Sequence, residues 1–482
     1  MLTSAHMMAL TPVILVCATA VTVMLGIAWR RQHAATALVS ILGLNLALVS
    51  LYLVYSAGDV STPLLVFDRL SMLGMVLVLA STLACLTMSH AYLEGYPGRK
   101  EEFYLLMLCA AAGGMVLVAS QHLATLFFGL ELLSMPLYGM LAYTYRDKRS
   151  LESGIKYLVL SAAATAFLLF GMALLYSQSG RLDIAGLLAG LESSGGGAWA
   201  LAGAGLMLVG LGFKLSIVPF HLWTPDVYQG GPGPAATFLA TASKAAVFIV
   251  LLRIVMVAPA FHVEWLHTVL GGLALLTMIV GNLLALIQTN LKRLLGYSSI
   301  AHFGYLLVAL VVADGLAVET AGIYLITYLM TTLGAFGVVT LLSSPYSGED
   351  ASALHHYRGL FWRRPYLAAV LTVCLLSLAG IPFTAGFIGK FYIVALGVEA
   401  GRWWLVGGII AGSVIGLYYY LRVMVTLYLV EPGMRGRDAP DNWGMKAGGV
   451  VVLGLALLVI AFGVYPTPVI DWMSVLTSPV HS

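Results

Sequence analysis

Runs of about twenty apolar residues recur along this chain almost from end to end, and they limit its fold more than any other feature. A ~30 Å hydrocarbon core takes about 20 residues of α-helix to cross. Inside that core each backbone N–H and C=O needs a partner, which leaves helices or closed barrels as spanning forms. Barrel strands are segments of ~10 residues with alternating polarity, whereas these runs are longer and apolar throughout. With 60% hydrophobic and 9% charged residues among 482, against about 25% charged in soluble domains, the chain reads as an all-α polytopic membrane protein.

The length rule predicts about fourteen transmembrane helices, at 9–29, 35–57, 67–90, 103–120, 122–143, 155–178, 199–220, 234–256, 267–288, 294–313, 318–342, 366–397, 403–427 and 446–465. The basic residues test that count. Loops after odd-numbered spans hold Arg30, Arg31, Arg99, Lys100, Arg146, Lys148, Arg149, Lys292, Arg293, Arg358, Arg363, Arg364, Arg435, Arg437 and Lys446. Loops after even-numbered spans hold only Arg69, Arg181 and Arg402. By the positive-inside rule, odd loops are expected in the cytoplasm and both termini in the periplasm. The segment MLTSAHMMALTP lacks the basic start of a cleaved signal, so its apolar run to Trp29 reads as a retained first span.

Several chemistries have no motif. Cys17, Cys85, Cys109 and Cys374 stand singly in apolar runs, as small buried hydrophobes do, and their spacing suits no metal or cluster. There is no glycine-rich nucleotide loop and no haem CxxCH. The expectation is no cofactor or metal in the chain itself. Basic residues sorted into loops rather than patches argue against nucleic acid.

Six basic residues fall inside spans: Lys156, Lys214, Lys244, Arg253, Lys390 and Arg422. An ammonium at mid-span costs about 2.5–3.5 kcal/mol on insertion scales. A chain that keeps one provides a partner, a water-filled cavity or a proton to move. Arg253 and Arg422, near span ends, are expected to snorkel. Lys156 lies four residues beyond Glu152, about 6 Å into its helix, and structural and functional readings both stay open for it. Lys214 and Lys244 bracket a stretch, GFKLSIVPFHLWTPDVYQGGPGPAATFLATASKAA, whose Pro/Gly cluster reads as a sharp turn between membrane helices. Lys390 is the only charge in the 34 residues between Arg364 and Glu399. One straight helix of that length would reach about 50 Å, so a break near Pro382, Gly386 and Gly389 is expected. Spans seven and twelve are both read as broken. Glu131, about 13 Å into span five, is the one acid clearly within a span.

Spans 4–8 and 9–13 echo each other. GLELLSMPLYGML at Gly129 aligns with GYSSIAHFGYLLV at Gly296, GIKYL at Gly154 with GIYLI at Gly322, and IVPF at Ile217 with GIPF at Gly380. The offsets are 167, 168 and 163. Because five is odd, the second unit would insert inverted, an arrangement that in transporters places the charged site near the midplane. The division expected is a three-helix segment at 1–102, two five-helix repeats at 103–256 and 267–427, and a C-terminal helix and tail at 428–482.

KLSIVPFHLWTPDVYQG, QTNLKRLLGYSSIAHFGYLLV and LLSLAGIPFTAGFIGKFY resemble the antiporter-like subunits of bacterial respiratory complex I, the proton-pumping NADH:quinone oxidoreductase. The resemblance covers about residues 103–425, and WTPDVY with lysine at 390 brings it nearest the N branch of that family. It implies a proton path across the middle of the membrane. Glu131 and Lys214 would form a buried ion pair, Lys244 would be the central carrier and Lys390 the terminal one. His221 and His302 would bridge them through water, with Lys156 a further candidate. The resemblance also implies that NADH, FMN, iron–sulfur clusters and quinone are bound by other subunits, in membrane and peripheral arms, at a bacterial inner membrane.

Physical chemistry points the same way. Burial disfavours a lysine's charge and a nearby carboxylate restores it, so a lysine between those influences can take up and release a proton. A sodium/proton antiporter subunit of the Mrp type is the rival reading within transport. A passive scaffold is the rival outside it, and gives no reason for charges inside apolar spans.

Overall fold

The computed structural model describes residues 4–94, 96–193, 197–257, 264–313, 315–343, 350–430 and 446–477. It opens with α1 (Ser4–Trp29), α2 (His33–Ala57), α3 (Arg69–Glu94), α4 (Glu101–Val118), α5 (Leu123–Leu141) and α6 (Lys148–Ser179). A short α7 (Ile184–Ser193) precedes the interrupted seventh span, α8 (Ala198–Leu215) and α9 (Trp223–Gly230). Span eight consists of α10 (Gly233–Phe238), a π turn (Leu239–Ser243) and α11 (Lys244–Val257). Then come α12 (Glu264–Leu286), α13 (Leu291–Val312), α14 (Gly315–Leu342) and the single turn α15 (Leu360–Arg363). The interrupted twelfth span, α16 (Pro365–Ala379) and α17 (Ala385–Glu399), is followed by α18 (Trp403–Tyr428), α19 (Ala447–Val464) and α20 (Thr467–Thr477).

Among the described residues thirteen helices are long and apolar enough to cross a membrane, with α10 and α11 taken as one. α16 and α17 are each too short, and together they fill the place of the expected twelfth span. Four elements were not foreseen: α7, α15 and α20, each too short to span, and a two-stranded hairpin, β1 (Val60–Ser61) with β2 (Val66–Phe67). Arg435 and Arg437 lie outside the described residues.

Span eight, α13 and α14 are buried along nearly their whole length, whereas α1, α6 and α19 turn much of their surface outward. That surface is also apolar, with Leu25, Phe170 and Leu457 exposed. Lipid is as apolar as these side chains, so helices here are held by close packing rather than by a polar exterior. Small residues permit it. A Cβ at Gly113 of α4 would lie 2.3 Å from the Leu133 backbone nitrogen of α5, and one at Gly281 of α12 would lie 2.8 Å from that of Ala301 on α13.

Both broken spans satisfy the backbone groups their breaks release, as membrane depth requires. After α8, Ser216 takes a left-handed conformation and its hydroxyl pairs with Thr224 at 2.5 Å. Across that break Trp223 donates from Nε1 to Phe213 O at 2.9 Å, and Val218 N–H donates to Thr277 Oγ1 of α12 at 3.1 Å. After α16, Gly380 has φ +82, a backbone state glycine adopts at least cost. Gly386 N–H then donates to Ser377 Oγ at 2.9 Å. A Cβ at Gly386 would sit 1.9 Å from Ser377 O, so only glycine lets α17 start this close to α16.

Three basic residues are corrected by the fold. Arg253 does not snorkel. It is buried and makes a two-point pair with Asp68, Nη1–Oδ2 2.6 Å and Nη2–Oδ1 2.8 Å. Arg422 donates instead to Leu286 O (2.7 Å) and Gln288 O (2.6 Å) at the end of α12, where a helix exposes unpaired carbonyls. Lys292, assigned above to a loop, occupies the first turn of α13 and is fully buried.

Candidate functional site

Lys244, His302 and Lys390 lie on or against the most buried helices, whereas Glu131 and Lys214 lie on the half-buried α5 and α8 and meet α6. Lys214 stands in the last turn of α8, just before the break. Its ammonium donates to Ser134 Oγ of α5 (2.6 Å) and Ser161 Oγ of α6 (2.7 Å), and lies 5.6 Å from the Tyr157 ring centroid. Glu131, one turn before Ser134, accepts from Thr165 Oγ1 at 2.8 Å, and Thr165 is one turn beyond Ser161. The expected Glu131–Lys214 ion pair is therefore not a direct contact. Hydroxyls on two neighbouring helices stand between acid and base, each spaced three or four residues from its partner so that they share a face.

Lys244 is the first residue of α11 and 0% exposed. The π turn just before it was not legible in the apolar run, and such turns recur at functional sites. Its Nζ donates to Ser299 Oγ of α13 at 2.9 Å, and Tyr328 OH of α14 lies 2.7 Å from that oxygen and 3.2 Å from Ala240 O. The rings of Phe303 and Tyr228 flank the ammonium at 5.1 and 5.7 Å. Among the described residues no carboxylate lies within ion-pairing distance of it.

The line continues through His302 on α13. Its Nδ1 is 2.7 Å from Tyr324 OH and its Nε2 3.4 Å from Tyr420 OH, and Tyr420 OH also meets Ser298 Oγ. His302 packs edge-on to Tyr305, centroids 5.6 Å apart, and Lys390 Nζ lies 5.4 Å from the centroid of that same ring. Lys390, on α17, donates to Ala379 O at 3.0 Å, a carbonyl freed by the break in span twelve. Lys244, Ser299 and Tyr328 thus form one hydrogen-bonded group, and ring packing of Tyr328 on His302 (5.5 Å) and of His302 on Tyr305 carries the succession on to Lys390.

Two candidates stand apart. Lys156 is 42% exposed and pairs with Glu152 (2.6 Å) and Asp226 (3.1 Å), so it belongs to an ion cluster completed by Arg293. His221 lies buried in the break between α8 and α9, with neither ring nitrogen hydrogen-bonded. Among the described residues no group of three or more His, Cys, Asp or Glu could hold a metal ion. Ser134, Ser161, Thr165, Ser299, Tyr324 and Tyr328 escaped the sequence reading for a physical reason. Hydroxyls inside membrane helices commonly bond the carbonyl four residues back, as Thr82 and Thr372 do here. Composition cannot tell those from hydroxyls that meet a lysine.

Residues 120–416 match the family described as NADH:quinone oxidoreductase/Mrp antiporter, TM. The chain is 70% identical over 468 residues to the NADH-quinone oxidoreductase subunit N of Chromohalobacter salexigens, covering 97% of this chain and 98% of that one. It is similar to a chain in respiratory complex I from Thermus thermophilus with bound aureothin, at 34% identity, TM-score 0.81, and 95% and 98% coverage. A chain of the Mrp complex from Dietzia sp. has the same fold, with TM-score 0.85 at 19% identity and 98% and 97% coverage.

Proposed function

This chain belongs to the NADH:quinone oxidoreductase/Mrp antiporter membrane family, and from that premise we propose that it is the proton-translocating membrane subunit of an NADH:quinone oxidoreductase, a multi-pass protein assembled with the other subunits of respiratory complex I. The likeness to the Mrp complex concerns the fold alone, whereas sequence identity runs with complex I. Electron transfer from NADH to quinone takes place in other subunits. The observation that carries the site reading is Lys244, a buried ammonium held by a serine hydroxyl with no carboxylate in contact among the described residues. In the mechanism proposed, Lys244 passes protons along Ser299, Tyr328 and His302 towards Lys390, and charge moving at Glu131 and Lys214 biases it through Ser134 and Ser161. His221, in the break between Lys214 and Lys244, completes the line through water. Lys156 has the weakest claim, since it is paired with the exposed Glu152 and the partly buried Asp226.

Purification of the tagged chain in mild detergent should bring down NADH-oxidising activity with flavin and iron–sulfur absorption. Stripped of partners, the chain should keep neither. Flavin or cluster bands in the isolated chain would refute a subunit without redox centres.

The two five-helix units remain part of the proposal. The break falls in the fourth span of each, and α4 packs on α5 as α12 packs on α13. Orientation in a bacterial inner membrane rests on the loop arginines and lysines. A cysteine in the Arg146–Arg149 loop should react with an impermeant reagent only from the cytoplasmic face. One in the Ser193–Gly197 loop, whose residues 194–196 lie outside the described residues, should react only from the periplasmic face. The reverse pattern would invert the topology.

A further inference from the structure

Asn282 interrupts the apolar run of α12 and is buried. Its Nδ2 donates to Met278 O (2.7 Å) and to the hydroxyl of Tyr305 on α13 (2.9 Å). Its Oδ1 accepts from Tyr419 OH of α18 at 3.1 Å. An asparagine side chain offers two N–H donors and one carbonyl, so each of the three is engaged. α18 leaves room for the cluster. A Cβ at Gly412 would lie 2.7 Å from the Tyr305 hydroxyl oxygen and 2.9 Å from Asn282 Nδ2.

A joint between these helices would not need a polar cluster. α12 and α18 already interlock where Gly271 receives the Trp404 ring and Gly408 receives Leu275, and burying polar groups costs stability unless they are bonded. What the cluster fixes is Tyr305, whose ring lies against both His302 and the Lys390 ammonium. The two nitrogens of His302 meet Tyr324 and Tyr420, and Lys390 Nζ donates to Ala379 O. Among the described residues no hydrogen bond joins the imidazole to that lysine. The ammonium faces a ring, and a tyrosine exchanges protons only at its hydroxyl. That hydroxyl is drawn away to Asn282.

We propose that Tyr305 carries the proton from His302 to Lys390 and that Asn282 is its positioning residue, a latch that holds the hydroxyl off the path until the ring turns. This rests on the proton-carrying reading of Lys244 and Lys390. Latched, the ring separates imidazole from lysine. Unlatched, the hydroxyl gives its proton to a neutral Lys390 Nζ while its oxygen takes one from the His302 imidazolium. The phenol ends unchanged, and the latch decides when the exchange occurs.

The test uses membrane vesicles containing the whole complex, with rates normalised to assembled complex on a native gel. In Asn282→Leu the hydroxyl relays protons out of step with the cycle. Decay of a preformed proton gradient should quicken about fivefold, the change in latched population that one buried hydrogen bond supports. Fewer protons should be pumped per quinone reduced. Tyr305→Phe removes the relay, so pumping should fall by roughly 10²-fold, as loss of a positioned proton-transfer group does, with no faster decay. The double variant should decay like Tyr305→Phe, because no hydroxyl is left to release. Intact pumping in Tyr305→Phe overturns the relay. A parent decay in Asn282→Leu, or a double variant as leaky as Asn282→Leu, overturns the latch and leaves Asn282 a packing residue. Should Asn282→Leu fail to assemble, Tyr419→Phe, which frees the amide, is read in its place. Lys244→Ala measured alongside separates the two ideas. Pumping that survived there would sink the proton-carrying reading itself, whereas pumping lost there with a parent decay in Asn282→Leu would sink only the latch.

Discussion

Lys244→Ala is expected to leave the complex assembled while lowering proton pumping by roughly 10²-fold or more, the contribution typical of a positioned proton-transfer group. Quinone reduction should fall with it wherever electron transfer and pumping are tightly coupled. Lys244→Arg is the decisive comparison. Arginine keeps the charge, yet its guanidinium stays protonated at any relevant pH. It must also fit a site where Nζ lies 2.9 Å from Ser299 Oγ between the rings of Phe303 and Tyr228. It should therefore fail nearly as badly as alanine. The measurement is quinone-coupled proton uptake in vesicles, with assembly checked on a native gel. Near-normal pumping with arginine would make Lys244 a fixed counter-charge, and the relay would fail at its centre.

Asp68→Ala should cost about 3–5 kcal/mol of stability, because it leaves the Arg253 guanidinium buried without a counter-charge. Both Asp68 oxygens meet Arg253, and Oδ1 also accepts from Ser71 N–H at 2.8 Å, in the first turn of α3. The loss should appear as a lower midpoint for thermal disassembly in detergent. Asp68→Leu/Arg253→Met should recover much of it, since replacing both members of a buried pair with apolar groups is often neutral or better. A single variant as stable as the parent would show that the pair contributes little.

Most of the architecture was legible along the chain. Span length is a local property, and the break of span twelve announced itself by a run with one charge that is too long for the membrane. The Pro/Gly cluster reads as a turn between spans, and in the structure it carries helix α9 after the break of span seven. Boundaries shifted where helices ran past the apolar core, as α6 does by beginning at Lys148. Charge placement was legible only in part. Lys214, Lys244 and Lys390 were found because each interrupts apolar sequence. Lys292 was missed because it neighbours Arg293 and looks like ordinary loop charge. Arg253 was misread because nearness to a span end gives no sign of Asp68.

The sequence by itself determined the membrane class, the count and breaking of the spans, and which titratable side chains are forced into apolar surroundings. Each of those follows from one segment of chain set against a slab of fixed thickness. Only the tertiary structure decided what those side chains touch. Ser161 stands 53 residues from Lys214, Ser299 stands 55 from Lys244, and Asp68 stands 185 from Arg253. A buried charge is stabilised by whatever comes within about 3 Å of it. At these separations, helix packing alone selects that neighbour.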